Sequence, residues 1–130
     1  MKRESWLPAT PASASRARAI VRELGSRRGL SQEDTWDLTL ATTEAVANVI
    51  NHGTPCGQQG FLLRVQSCGE GICVEICDCG TFSPTIKKVP DADSVSGRGI
   101  PLMAAVSDLF EVMPDADRTR VRIGKRVAAA

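Results

Sequence analysis

At 130 residues the chain is long enough for one domain with a proper core, and short for two. An apolar fraction of 42% and a charged fraction of 24% exclude a chain that is mainly disordered or low-complexity. A formal net charge of +1 excludes a global field for nucleic acid or an anionic membrane. No apolar run approaches the roughly 20 residues that span a bilayer.

The N-terminal stretch MKRESWLPATPAS carries two basic residues but no signal-peptide hydrophobic core, so a cytosolic (cytoplasmic) protein with one domain over 1–130 is expected. "SWLPA" (5–9) reads as a short edge strand stopped by Pro8 and Pro11. "SASRARAIVRELG" then reads as a first helix, with Ala17, Ile20, Val21 and Leu24 on one face and Gly25 as its C-terminal stop. Its outer side is basic, through Arg16, Arg18 and Arg22.

Ser31-Gln32-Glu33-Asp34 places an N-cap serine three residues before an acid, close to a capping box, and announces a second helix from about Gln32 to Asn51. Trp36, Leu40, Val46, Val49 and Ile50 are its apolar positions, and Gly53 closes it. Within "EAVANVINHG" a helix advances about 100° per residue, so Glu44, Asn48, Asn51 and His52 share one stripe, away from Val46, Val49 and Ile50. An acid, two amides and an imidazole on one stripe are either a solvated face or a site. Amides are poor helix-interior residues, which favours the site.

"GFLLRVQS" and "GICVEICD" read as strands joined by a hairpin around Cys68-Gly69-Glu70-Gly71. Ile72, Val74, Ile76 and Asp78 alternate onto one face, which places an acid at the rim of a buried layer. The opposite face, with Cys73, Glu75 and Cys77, is semi-polar and reads as open or as an interface. Five cysteines, an odd number with no export signal, argue against a disulfide framework and for small half-buried hydrophobes. A redox or zinc sensor is the competing use of them.

Residues 80–99, rich in Gly, Ser, Pro, Asp and Lys, read as a long loop of the length that functional lids have. "IPLMAAVSDLF" reads as a third helix with Pro101 in its first turn, and "FEVM" and "TRVRIGKRV" as a closing hairpin turning through Pro114-Asp115-Ala116-Asp117. The element order, β-α-α-β-β-loop-α-β-β, fits an α+β fold of two layers: a mixed or mostly antiparallel sheet with helices on one face.

Three features converge on one chemistry. The first is the Glu44/Asn48/Asn51/His52 stripe, where an Asn oxygen is a hard ligand suited to Mg²⁺ beside phosphates. The second is Asp78-Cys79-Gly80 at a strand end, an acceptor for an exocyclic amine with a glycine that admits a base close to the backbone. The third is Gly97-Arg98-Gly99 before a helix, where N–H groups and the helix dipole favour phosphate.

In that order these motifs resemble the GHKL ATPase superfamily, and within it the small bacterial anti-sigma-factor serine/threonine kinases. "TEAVANVINHG" is similar to the family's N box, "DCG" to its adenine-reading motif, and "GRGIPLM" to the glycine-rich box that ends its ATP lid. The resemblance implies a Bergerat-type histidine kinase-like ATP-binding fold that takes ATP and Mg²⁺. It implies Glu44 as catalytic base and Asn48 as Mg²⁺ ligand. It further implies nucleotide contacts from Asn51, His52, Asp78, Gly80, Gly97, Arg98, Gly99, Ile100 and Thr119, with Thr119 supporting the adenine-reading acid. The implied biology is partner switching, in which a protein, often a homodimer, sequesters a sigma factor and phosphorylates a serine on a STAS-type anti-anti-sigma protein. Arg18 matches the first-helix arginine that contacts partners in relatives. Thr81 and Phe82 stand where many relatives have a further glycine, and Val95 and Ser96 where close relatives have a basic residue. Those departures favour a rival reading, an ATP-binding regulator without phosphoryl transfer.

Overall fold

The computed structural model describes residues 1–52, 60–78, 106–115 and 118–127. In chain order its elements are β1 (Lys2–Pro8), α1 (Pro11–Arg28), α2 (Gln32–His52), β2 (Gly60–Cys68), β3 (Gly71–Asp78), β4 (Leu109–Asp115) and β5 (Arg118–Arg126). The strands form one sheet in the order β1-β2-β3-β5-β4, and every neighbouring pair is antiparallel. The α+β architecture expected from the sequence is therefore present.

Local chemistry sets the helix ends. Thr10 is extended at the N-cap of α1 and Pro11 takes the first turn, where its missing N–H costs nothing. The Ser13 hydroxyl turns back to donate to the Pro8 carbonyl. Gly25 does not stop α1, as the sequence reading had it. The helix continues one turn to Gly29, whose φ of 96° lies in the left-handed region. Gly29 N–H reaches the Ser26 carbonyl at 3.1 Å and Leu30 N–H the Gly25 carbonyl at 3.0 Å, a Schellman closure. Gly25 is glycine for packing instead: a Cβ there would lie 3.3 Å from Leu30 Cδ1 and 3.6 Å from Thr35 Oγ1. The chain folds back over that bare position to start α2.

Ser31 caps α2 as expected, accepting from the Asp34 N–H at 3.0 Å. Thr39, Thr42 and Thr43 donate their hydroxyls to the carbonyls four residues back, which lets two of these polar side chains lie buried. Trp36 departs from its expected role and is 66% exposed. The core side of α2 is set by Leu38, Ala45 and Val49, and Trp36 points about 160° away from it.

Both helices cover one face of the sheet, α1 over β2 and β3, α2 over β3 and β5. Register places Leu7, Phe61, Leu63, Val65, Val74, Ile76, Val121 and Ile123 on that inner face, all essentially buried against Val21, Leu38, Val46 and Val49. The closing hairpin differs in its bounds. Pro114 and Asp115 belong to β4 rather than to the turn, Phe110 lies in β4 as the FEVM strand expected, and Leu109 belongs to β4 rather than to a third helix. An edge strand tolerates the proline because one side of its backbone has no partner to satisfy. Of the rest of that proposed helix, residues 100–105 lie outside the described residues, and Val106 alone of 106–108 is helical.

The outer face carries a charged network. Glu75, only 5% exposed, accepts from Arg64 Nη1 at 3.2 Å and faces Arg122 Nε at 3.7 Å and Arg120 Nε at 3.9 Å. Arg64 continues to Glu4 at 3.1 Å, and that guanidinium holds the Glu4 carboxyl below the usual carboxylate range. Cys68 and Cys73 depart from their expected role as separate hydrophobes, because they form a disulfide across the β2–β3 turn. Cys73 lies opposite Gln66, so Cys68 is its diagonal neighbour on the same face, with a Cα–Cα distance of 5.9 Å that a disulfide spans. Gly69, at φ 58°, makes the tight turn between them.

Candidate functional site

The site begins from how α2 lies on the sheet. Lys125, in line with the inner-face residues Val121 and Ile123 of β5, reaches Asp37 at 3.4 Å and Asp34 at 3.6 Å in the first two turns of α2. Its side chain is only 10% exposed, so this contact pins the start of α2 over the end of β5. From that anchor α2 runs back along β5, about 1.5 Å per residue against about 3.3 Å for the strand. The C-terminal half of α2 therefore reaches the end of the sheet where β3 finishes and β5 begins. The sequence reading missed this anchor. Its signal was a lysine in register with valine and isoleucine, together with two acids opening a helix.

At that end Asp78 closes β3 and is in register with Thr119 of β5 on one side and Phe61 of β2 on the other. The two residues expected to cooperate at an adenine are thus direct cross-strand partners, and backbone hydrogen bonding rather than loop geometry fixes their spacing. On α2, Asn48 is 6% exposed and Glu44 half-buried, one helical turn apart, while Asn51 is exposed. Asn48 is buried because the polar stripe borders the core stripe. Ala41, Ala45 and Val49 flank it, all buried. His52 is the last residue of α2. Gly80, Gly97, Arg98, Gly99 and Ile100, with the proposed lid at 80–99, lie outside the described residues.

Among the described residues, Asn48 offers one hard oxygen donor on this stripe. A buried amide at the edge of a rigid helix fits Mg²⁺ bound mainly through phosphate oxygens and waters. Among the described residues no group of three or more His, Cys, Asp or Glu side chains converges to hold a metal, while Cys56 and Cys79 lie outside them. Nor is any helix, among the described residues, long and apolar enough to cross a membrane.

Two solved structures share the architecture. The chain is similar to the RsbU and RsbW domains of a protein from Mycobacterium tuberculosis, with a TM-score of 0.78 and 20% identity. That match covers 100% of this chain and 33% of the other, so the chain spans a third of that protein's length. It is also similar to the SiaB–SiaC complex from Pseudomonas aeruginosa, with a TM-score of 0.68 and 9% identity, over 95% of this chain and 88% of that one. At these identities the likeness is one of fold. Comparison with curated proteins finds no match. The sequence itself matches the model of the histidine kinase-like ATPase domain over residues 7–125, nearly its whole length. With the five-stranded sheet, the helices on one face and that match together, the chain belongs to the histidine kinase-like ATPase domain family.

Proposed function

We propose that the protein is an anti-sigma factor and an ATP-dependent serine/threonine kinase that phosphorylates a STAS-type anti-anti-sigma protein. One observation supports the reading: Asp78 and Thr119 are cross-strand partners where β3 ends, and Glu44 and Asn48 stand one turn apart in the C-terminal half of α2. Asp78 accepts a hydrogen bond from the adenine amine and Thr119 steadies that acid. Asn48 holds Mg²⁺, which when bound neutralises charge on the phosphates. Asn51 and His52 extend the same polar stripe toward the nucleotide. The backbone of Gly80 admits the base, and Gly97, Arg98, Gly99 and Ile100 offer N–H groups and one guanidinium to the phosphates. Glu44 takes the proton of the substrate serine as the phosphoryl group transfers. The fold likeness to RsbW and SiaB, both named in the matching structures, supports an anti-anti-sigma partner. In this reading a sigma factor is the sequestered partner and a homodimer the working unit.

Calorimetric titration of ATP with Mg²⁺, and again with excess chelator, tests the site. Binding that weakens without Mg²⁺ and is lost in Asp78→Asn supports it. Transfer of labelled phosphate to a STAS-domain protein tests the reaction, and Glu44→Gln should abolish it while leaving ATP affinity largely intact. Phosphorylation that persists in Glu44→Gln removes Glu44 as the base. Thr81 and Phe82 after Gly80 favour a second reading, an ATP-binding partner regulator of the same fold with weak or absent catalysis. ATP binding without transfer by the wild-type protein would select it.

A further inference from the structure

We propose that Cys68 and Cys73 form a thiol–disulfide exchange site on the outer face of the sheet, remote from the nucleotide end and taking small zwitterionic thiols and disulfides as substrates. The two sulfurs are bonded across a turn, yet their surroundings differ. Cys73 is 2% exposed, packed beside Leu109 over Gly124, where a Cβ would lie 3.6 Å from its sulfur. Cys68 is half-buried, and its sulfur receives the Arg122 Nη2 donor at 3.7 Å. A guanidinium beside a sulfur favours the thiolate, which is the nucleophile in exchange. Cys68 is therefore the reactive partner and Cys73 the resolving one.

A groove of about 540 Å³ opens at the pair, lined by Glu70, Asp108 and Arg126 among others, with Asp108 accepting from the Arg126 backbone N–H at 2.7 Å. Charges of both signs beside an accessible sulfur suit a peptide-like thiol that carries an amine and carboxylates. The step balances without further reagents. Cys68 thiolate attacks one sulfur of a small disulfide, forming a mixed disulfide and expelling a thiolate that takes a proton from water. Cys73, having lost its proton to water, attacks the Cys68 sulfur and expels the second thiolate. The two cysteines are oxidised and one small disulfide is reduced to two thiols.

Arg122 also faces Glu75, so the same guanidinium that receives a Cys68 thiolate belongs to the outer-face network. Reduction of the bond thus adds a competing anion beside that network.

The test is peptide-resolved mass spectrometry of the full chain, reduced and then exposed to glutathione disulfide at neutral pH. The expected result is a Cys68–Cys73 crosslink, with no stable glutathione adduct on either residue. In Cys73→Ser the adduct should accumulate on Cys68 at least about tenfold faster than on Cys73 in Cys68→Ser, because Cys68 is the more exposed sulfur and has the Arg122 guanidinium beside it. Arg122→Gln should slow crosslinking of the otherwise wild-type chain by several-fold. A stable glutathione adduct in the wild-type chain, or equal rates at the two sulfurs, overturns the proposal. The wild-type measurement stands alone if a variant fails to fold.

Discussion

Replacing Glu75 by Gln keeps the shape of a buried side chain and removes its charge from the middle of three arginines. Truncating one partner of a fully buried ion pair costs about 3–5 kcal/mol, and an exposed pair is worth about 0–1 kcal/mol. Glu75 falls between these limits: its side chain is 6% exposed, while Arg64, Arg122 and Arg120 are 26%, 31% and 47% exposed and can rehydrate. The Gln amide oxygen still accepts from Arg64, which removes part of the loss. The expected cost is about 2 kcal/mol, and for a chain of this size roughly 6–10 °C in melting temperature. Thermal melts followed by circular dichroism, at low salt and at about 0.5 M salt, measure it. A buried acid is weakly screened, so most of the loss should persist at high salt. A loss below about 0.5 kcal/mol, or one that vanishes with salt, would mean that Glu75 is solvated and that the arginines surround it without depending on it.

Gly71→Ala should destabilise, against the usual effect of that substitution on backbone freedom, because the new Cβ would collide with the Lys125 carbonyl and lie 3.0 Å from Arg126 Cα. A cost of about 1–3 kcal/mol is expected by urea denaturation, and an unchanged midpoint refutes the close approach of β3 and β5. Burial pushes the Cys77 thiol up despite the Arg120 guanidinium beside it. A raised folded-state value favours the neutral thiol, so its contribution to stability is complete below about pH 8.5 and is lost as pH rises through the folded value. Cys77 should accordingly alkylate more slowly in the native protein than in urea at pH 8, and equal rates by peptide mapping would contradict this. Ser31→Ala should cost about 1 kcal/mol through the uncapped Asp34 N–H, and a smaller loss in the urea midpoint would show that water replaces the hydroxyl.

The sequence carried the elements well because their signals were local and redundant. Ser31 with Asp34 marked the start of α2, a β-type run marked β2, alternation marked β3, and the polar stripe on α2 showed at helical spacing. The errors came where a residue served a neighbour distant in sequence or a partner element. Gly25 looked like a stop because a glycine in a helix usually is one, and only Leu30 folding back over it gives its packing reason. Trp36 counted as core by hydropathy although its angular position opposes Leu38. The cysteines were judged by compartment, whereas the hairpin register brings Cys68 and Cys73 together across a two-residue turn. Lys125 could not be given its role without the crossing of α2 over β5. For the candidate site, the cooperation of Asp78 with Thr119 came from the family resemblance, whereas their direct pairing needed the β3–β5 neighbourhood, which skips β4.

An open five-stranded sheet has two borders, and each is closed to newcomers by ordinary means. On one side β1 opens with Lys2, Arg3 and Glu4 and finishes at Pro8; on the other β4 carries Pro114, which has no N–H to offer. Further copies cannot readily extend the ladder in either direction, so the chain resists the edge-to-edge growth that threatens unclosed sheets. A partner is therefore expected to approach a face or a loop and to be recognised by side chains rather than by backbone.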